Sequence, residues 1–418
     1  MREKLDIAIA GAGPAGLAAA LYLSGAGHRV TIFERFERPA PVGSGLILQP
    51  TGLTILADLG LFDAIMELGS RIDRLHGADA RSGRTVLDVR YDAQGGGRFG
   101  LAVHRAALFS VLYKAVQAAA ITVETGVELE SLETGEQACL LCRDGRRLGP
   151  FALVVDASGA RSKLRRHAKS PCEPRPLTYG AFWASLDWRE GFDPNALLQR
   201  YQRASVMIGV LPIGRPEPAA GPMAAFFWSL KPDEAERVKA AGIDAWKQRV
   251  IDLWPACDVF TDQISGFEQL SLARYGHHTL KVPFGRRLAV IGDAAHSTSP
   301  QLGQGANMAL LDAAALFHAI EDAGTLDDAL QAYWRSRRLH VRAFQALSWM
   351  FTPFYQSDSR MLPFVRDRLV ATIARIPPAP RFLASMVAGT AVDPFRPIGL
   401  REAHWSKMRS AQAGVADA

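Results

Sequence analysis

The 418-residue chain has no run of 18 apolar residues, so it lacks the pattern of a membrane-spanning helix. Its first residues pass almost directly into an apolar strand pattern, Ile7 to Ala10. No cleaved secretory signal is therefore expected. Only four cysteines are present, too few for a disulfide framework in a chain of this length, and the expectation is a reduced, cytoplasmic protein. Cys139 and Cys142 form a CxxC with no second pair, which reads as two core cysteines rather than a metal or redox pair. The pair His277-His278 has no acid or cysteine at ligand spacing, so a surface turn is expected and no metal. Internal repeats and low-complexity tracts are also absent.

Net charge is small and concentrated in one place. The net formal charge is +6. The stretch from Gln331 to Arg381 holds nine arginines, no lysine and two acids (Asp358, Asp367), so the rest of the chain is close to neutral. Aromatic residues are interleaved with the arginines. A solvated basic face on helices is the preferred reading. Contact of segment 331–381 with an anionic membrane surface is the second, with charge reversal of Arg366, Arg368 and Arg375 as its test. No nucleic-acid motif accompanies the basic residues.

What is present is a fingerprint. A buried-strand pattern (Ile7 to Ala10) runs into Gly11-Ala-Gly13-Pro14-Ala15-Gly16, then a helical pattern through Leu23, a Gly25-Ala-Gly27 turn, and a second strand ending on Glu34. The first glycine permits a tight turn, the second a close approach of backbone amides to a pyrophosphate, and the third close packing of helix on strand. An acid at the next strand tip is placed to accept hydrogen bonds from a ribose. Strand, glycines, helix, strand and acid in this order define a nucleotide-binding βαβ unit.

Beyond it, Thr51 to Leu68 reads as helical, 74–101 as short strands of a second sheet, and His104-Arg105 as the start of an amphipathic helix. Phe151 to Asp156 reads as a buried parallel strand. Three strand patterns between Thr178 and Ser271, followed by one helix from Asp233 to Leu253, read as a separate antiparallel sheet with its cover. Trp183, Trp188, Phe226, Phe227 and Trp228 lie on those strands. Pocket lining and core packing explain them equally well. The nucleotide fold resumes at Arg287 to Asp293, and the residues from Ser406 onward read as a frayed end.

A second motif closes the argument. Gly292-Asp293-Ala-Ala-His296-Ser-Thr-Ser-Pro300-Gln-Leu-Gly303-Gln304-Gly305-Ala306-Asn307 reads as strand tip, acid, loop, glycine turn and helix start. Such a helix start favours negative charge. Together with GAGPAG, about 280 residues earlier, it resembles the flavin-dependent monooxygenases of the p-hydroxybenzoate hydroxylase type over nearly the whole chain. The resemblance implies an α/β fold: a Rossmann-like FAD-binding domain, an inserted mixed β-sheet substrate domain and C-terminal helices. It divides the chain into FAD-binding parts 1–73, 102–176 and 276–340, substrate-domain parts 74–101 and 177–275, and a helical region 341–418.

It also implies roles. Gly11, Gly13, Pro14, Ala15 and Gly16 would hold the FAD pyrophosphate, and Glu34 the adenosine ribose with Arg35 beside it. Arg105 would reach the FAD, and Gly159 belongs to the middle motif. Asp293 would hold the ribityl chain or the pyrophosphate. Pro300 would lie by the isoalloxazine, and Gly303, Gly305, Ala306 and Asn307 would present amides to its pyrimidine edge. The implied chemistry is reduction of the flavin by NAD(P)H, addition of O2 at C4a, and oxygen transfer to an apolar substrate, aromatic or lipid-borne. A flavin reductase of the isoprenoid-reductase kind is the alternative. The family's middle motif, DGxxSxxR, departs here: Ser158 stands where it has Asp, while Gly159, Ser162 and Arg165 match and Asp156 lies two residues earlier. His296 reads as structural, no residue is assigned as catalytic base, and monomer and homodimer stay open.

Overall fold

The computed structural model describes residues 4–38, 43–374 and 376–405. Arg375 and the residues from Ser406 lie outside them. A six-stranded sheet forms the centre, in the order Phe284–Gly285, Leu288–Val290, Leu153–Asp156, Asp6–Ala10, Arg29–Glu34, Thr122–Thr125. All neighbours are parallel except the first pair, a hairpin. The apolar runs are those of strands covered on both faces. Along the first strand the side chains alternate as the pleat requires. Ile7 and Ile9 enter a core with Leu17, Ala20, Leu310 and Ala314 of the helices Pro14–Gly25 and Gly305–Asp322. Ala8 and Ala10 face Leu132, Leu140 and Phe151 of a three-stranded meander on the other side. Cys139 and Cys142 are buried in the middle strand of that meander, Ala138–Cys142, as free thiols.

A seven-stranded mixed sheet stands apart, in the order Ser271–Ala273, Gly180–Asp187, Met223–Leu230, Val206–Pro212, Ala196–Gln202, Arg74–Asp79, Thr85–Arg90. The strand Gly100–His104 instead pairs with Gly45–Leu48 and Ser70–Ile72. Ala196–Gln202 gives no strand signal in the sequence, because Gln199, Arg200 and Gln202 interrupt its apolar pattern. Its Gln199 is nevertheless buried, bonded to Tyr201 and Met207. The alternation settles the aromatic residues. Phe226 and Trp228 point into a core closed by the helix Ile243–Leu253, with Trp188 packed beside them. Trp183 and Phe227 point to the opposite face, their ring centroids 4.7 Å apart.

Two expected helices are each divided at a glycine in the left-handed region. Gly242 (φ 92°) separates Ala235–Ala240 from Ile243–Leu253, and Gly60 (φ 71°) separates Pro50–Asp58 from Phe62–Leu68. The basic segment also departs from a wholly solvated face. Its long helix, Leu326–Tyr355, packs on Gly305–Asp322 and buries Arg337. Arg366 is fully buried as well, over the rings of Tyr201 and Tyr355. Charge reversal at Arg366 would therefore disrupt a core, not a surface.

The packing of the first helix rests on one missing side chain. A Cβ on Gly16 would stand 2.0 Å from the carbonyl oxygen of Gly11, a backbone atom that cannot swing away. Gly16→Ala is expected to cost about 1–3 kcal/mol through overpacking, read as a lowered midpoint in thermal unfolding followed by circular dichroism. An unchanged midpoint would contradict the close approach.

Candidate functional site

Register places the pieces. Phe33, Ala10, Asp156 and Val290 lie side by side across four parallel strands. The chain beyond each strand therefore emerges at the same edge, the position at which open α/β sheets bind ligands. From that edge rise Glu34, the Gly11–Gly16 loop, the Ser158–Lys163 loop and Asp293.

Gly11 makes its turn at φ 100°, and a Cβ there would meet the carbonyl oxygen of Ala157 at 2.7 Å. Glu34 is buried. Its Oε2 accepts from the N–H of Ala12 at 2.8 Å and its Oε1 from the N–H of Phe36 at 3.1 Å. A carboxylate has further lone pairs for a ribose. The helix from Pro14 begins at Gly13, and its first N–H groups have no partner within the helix. An added Cβ on Gly13 would meet nothing within 4 Å, so the backbone faces open space there. A cavity of about 360 Å³ is lined by Gly11, Gly13, Pro14, Glu34, Arg35 and Arg105, with Gly159, Arg161 and Lys163 on its far wall. Ala15 and Gly16 are buried behind this surface. Arg161 and Lys163 carry no separate signal in the sequence, and only the loop geometry brings them to the cavity.

The second motif follows along the same edge. Asp293 is exposed, with Oδ1 3.8 Å from where a Gly305 Cβ would stand. Pro300 opens a short turn closed by Gly303 at φ 60°. The helix from Gly305 starts there, and the first N–H within it to find a carbonyl is that of Met308. The backbone N–H groups of Gly305, Ala306 and Asn307 therefore have no carbonyl partner within the helix, with Gly305 exposed and Asn307 buried. The Asn307 side chain is committed inward, donating to the carbonyls of Ile47 and Gly303 and accepting from the N–H of Gln49. In the same turn Ser299 Oγ, Gln301 Nε2 and Gln304 Oε1 are buried without a protein partner. A polar ligand with both donors and acceptors suits such a set.

Ser158 cannot replace the motif carboxylate. Its hydroxyl and N–H both donate to Asp156, which also accepts from Ser162 Oγ. Burial raises the Asp156 carboxyl above its ordinary range, and these donors oppose it. Arg165 holds the same loop, bonding to the carbonyls of Ala160 and Ser162, and its guanidinium lies 2.6 Å from His278 Nε2. His278 is thus buried in a strand, Gly276–Thr279, rather than in a surface turn. A guanidinium can only donate. At Nε2 the ring meets both this donor and the carbonyl of Ala294, 3.1 Å away, while its Nδ1 lies 2.7 Å from Ser297 Oγ. Burial lowers its pKa to about 4.

A second buried tie anchors the Asp293 loop. Asp312, fully buried, accepts from the N–H of Gly292 (2.9 Å), His296 Nε2 (2.6 Å) and Arg337 Nε (2.7 Å). Burial pushes its carboxyl upward, but His296 and Arg337 outweigh that and hold it well below the usual range. His296 is thus structural. Arg337 also donates to His340 Nδ1, and His340 donates to the carbonyl of Gly389 at 2.9 Å. Burial and the neighbouring Arg337 lower the His340 pKa to about 3.

Toward the mixed sheet, Trp183 Nε1 donates to the hydroxyl of Tyr275 at 2.8 Å. Burial raises the pKa of Tyr275, so it keeps its proton and acts as a donor. Tyr275 escapes notice in the sequence because it follows the last strand pattern and gives no periodic signal. His104 Nδ1 accepts from the N–H of Ala106, and its Nε2 reaches Ser185 Oγ at 3.1 Å. No group of three metal-ligating side chains occurs among the described residues.

This arrangement has known counterparts. Residues 4–348 match the family described as FAD binding domain. The chain belongs to this family. Its relatives include the 3-amino-4-hydroxybenzoate 2-monooxygenase of Streptomyces cremeus, 29% identical over 361 residues, covering 81% of this chain and 86% of that one. The 2-heptyl-3-hydroxy-4(1H)-quinolone synthase of Pseudomonas aeruginosa (strain UCBPP-PA14) is 26% identical over 381 residues, covering 88% and 94%. Among solved structures, the tetrameric form of 2-methyl-3-hydroxypyridine-5-carboxylic acid oxygenase superposes with a TM-score of 0.78 at 18% identity, covering 96% of this chain and all of that one. That likeness establishes the fold. The chain is an FAD-dependent oxidoreductase of the p-hydroxybenzoate hydroxylase-type monooxygenase family, with FAD as its cofactor.

The buried histidines make the fold of this flavoprotein less stable toward acid. Unfolding frees His278 and His340 to titrate near 6.5, whereas folded they stay neutral to about 4 and 3. Between these values the unfolded state binds more protons, so stability falls as pH falls. Each histidine is expected to contribute about 1.4 kcal/mol per pH unit to that loss. Urea unfolding between pH 7 and 4 should show a midpoint that declines steadily. A flat profile would contradict the assigned neutral forms.

Proposed function

We propose that the chain is an NAD(P)H-dependent monooxygenase that inserts one atom of O2 into an apolar, electron-rich substrate, aromatic or borne on a lipid-like tail. The observation that carries this reading is the pair of helix starts, at Pro14 and Gly305, that follow strands ending at one sheet edge, in a chain whose relatives include aromatic monooxygenases. When bound, FAD supplies the redox chemistry, taking electrons from the nicotinamide and activating O2.

The chain's own residues do the holding. Amides at Ala15 and Gly16 and the positive end of their helix receive the pyrophosphate, and Glu34 accepts from the ribose, with Arg35 and Arg105 adding positive charge at the cavity. Asp293 would accept hydrogen bonds from hydroxyls of the ribityl chain. N–H groups at Gly305, Ala306 and Asn307 donate to the ring's pyrimidine edge, where negative charge develops on reduction. Pro300 would lie beside the ring. On the substrate side, the half-buried Trp183 stands at the edge of an apolar face that continues into the core through Phe227, Leu211 and Ala225, and such a face would keep water from the reacting atoms. The Tyr275 hydroxyl, held by Trp183, offers a donor to a substrate oxygen. The two relatives named for aminohydroxybenzoate and heptyl-hydroxyquinolone chemistry support an aromatic substrate. The proposed domain division follows the same logic, with 74–101 and 177–275 forming the substrate side. With a lipid-borne substrate, contact of the 331–381 segment with the inner face of the cell membrane belongs to the same proposal.

The deciding experiment supplies isotopically labelled O2 with NAD(P)H and a library of phenols and alkylated heteroaromatics. Label in one product, with faster nicotinamide oxidation in its presence, is expected. Substrate reduction without label would favour a reductase. Glu34→Ala should weaken FAD retention by roughly tenfold to a hundredfold, the worth of charge-assisted hydrogen bonds. Unchanged flavin content after gel filtration would remove Glu34 from the ribose site.

A further inference from the structure

The helix Leu326–Tyr355 has two unlike faces. Tyr333, Arg337, His340 and Phe344 are buried. Arg335, Arg338, Leu339, Arg342, Trp349 and Met350 are exposed, at the three- and four-residue spacing of a single stripe. The stripe runs from cations to apolar groups, with Trp349 at 75% exposure. The helix Met361–Val365 packs on it and adds Met361 and Phe364, exposed at 70% and 59%. Ile373, Ile376 and Phe382 follow. Eight of the ten large apolar side chains exposed among the described residues fall between 339 and 382. So large an apolar concentration marks a contact surface rather than ordinary exposure.

Its charge specifies the contact. Arg360, Arg368 and Arg381 are exposed among these apolar groups. The segment's two carboxylates are already engaged, Asp358 with Lys231 and Tyr179, and Asp367 with Arg366. Arg335, Arg338 and Arg368 rest on neutral groups: Gln331, the Trp334 ring and the Phe364 ring. A two-fold contact with a second copy would set these arginines against their equivalents. Arginine with Trp, Phe, Ile and Met on one side is instead the composition that sits at an anionic lipid surface.

The same helices reach the site. In the helix Ala379–Ala388, Phe382 is half exposed, while Ala384 and Val387 pack with Leu211, Ile213 and Ala225 of the inner sheet face. Five residues along a helix are about 8 Å. Gln304, just ahead of the Gly305 helix, donates to the carbonyl of Val387 at 2.7 Å. The surface stripe is thereby continuous with the wall proposed for the substrate.

We propose that this face docks on an anionic lipid bilayer and takes its apolar substrate from the bilayer alongside the helix Ala379–Ala388. The second half rests on the apolar substrate of the proposed function, and the docking stands without it. The test is co-sedimentation of the full-length, FAD-loaded protein with vesicles of phosphatidylcholine alone or enriched in phosphatidylglycerol. Binding to the anionic vesicles only is expected, released at high salt. A variant carrying R338E, R342E, W349S and F364S should bind at least tenfold more weakly, with unchanged flavin absorbance and melting temperature. Failure of the native protein to sediment with anionic vesicles would overturn the docking. So would a native dimer that the variant turns into monomers, which would assign the face to a second copy. Failure of the oxygenase reading is distinct, because labelled oxygen would then enter no product while vesicle binding persisted.

Discussion

The structure depends on one register. Four parallel strands end level with one another at Phe33, Ala10, Asp156 and Val290. They come from three parts of the chain separated by more than a hundred residues. Strand pairing holds them level because the residues are apolar and covered on both faces. A shift of one position would turn Ile7 and Ile9 toward the meander and Ala8 and Ala10 toward the helices, exchanging the two cores. The glycine loop, Glu34, the Ser158 loop and Asp293 become neighbours only through this level edge.

Buried charge then fixes the loops that pairing alone would leave free. Asp312 holds the turn at Gly292 and His296 against the long C-terminal helix through Arg337. Arg165 and His278 join the Ser158 loop to Ser297. Leaving one partner of such a set alone is costly, since an uncompensated charge stays buried. These ties explain why an arginine-rich helix distant from the glycine loop belongs to the architecture of the site. In the same loop Asp156, two positions before Ser158, accepts from the N–H and hydroxyl of Ser158 and from Ser162 Oγ.

Much of this was legible in the sequence, for a physical reason. The strand, glycine turn, helix and acid from Asp6 to Glu34 interact within some 30 residues, so their pattern is local and complete. The Asp293 motif is equally local. Together they carried the fold class, the family and the cofactor. The burial of Arg337 and Arg366 was not legible, because their partners lie elsewhere: Asp312 is 25 positions from Arg337, and the Tyr201 ring under Arg366 belongs to the distant mixed sheet. His278 looked like a surface residue for the same reason. The alternation of Trp183, Phe226, Phe227 and Trp228 was visible in the sequence. Which set faced the core was decided by the helix Ile243–Leu253, which covers one side.

The central claim is that one dinucleotide spans this edge from Glu34 to the Gly305 helix, held at both ends. Titrating the apoprotein with FAD and with FMN, by quenching of flavin fluorescence, tests it most directly. The account predicts that FAD binds roughly a hundredfold more tightly, or about 2.7 kcal/mol, because FMN forgoes the Glu34 ribose contact and half of the amide cradle at Gly13. Equal affinities would mean that the glycine loop and Glu34 do not hold the cofactor, and the account would fail at its base.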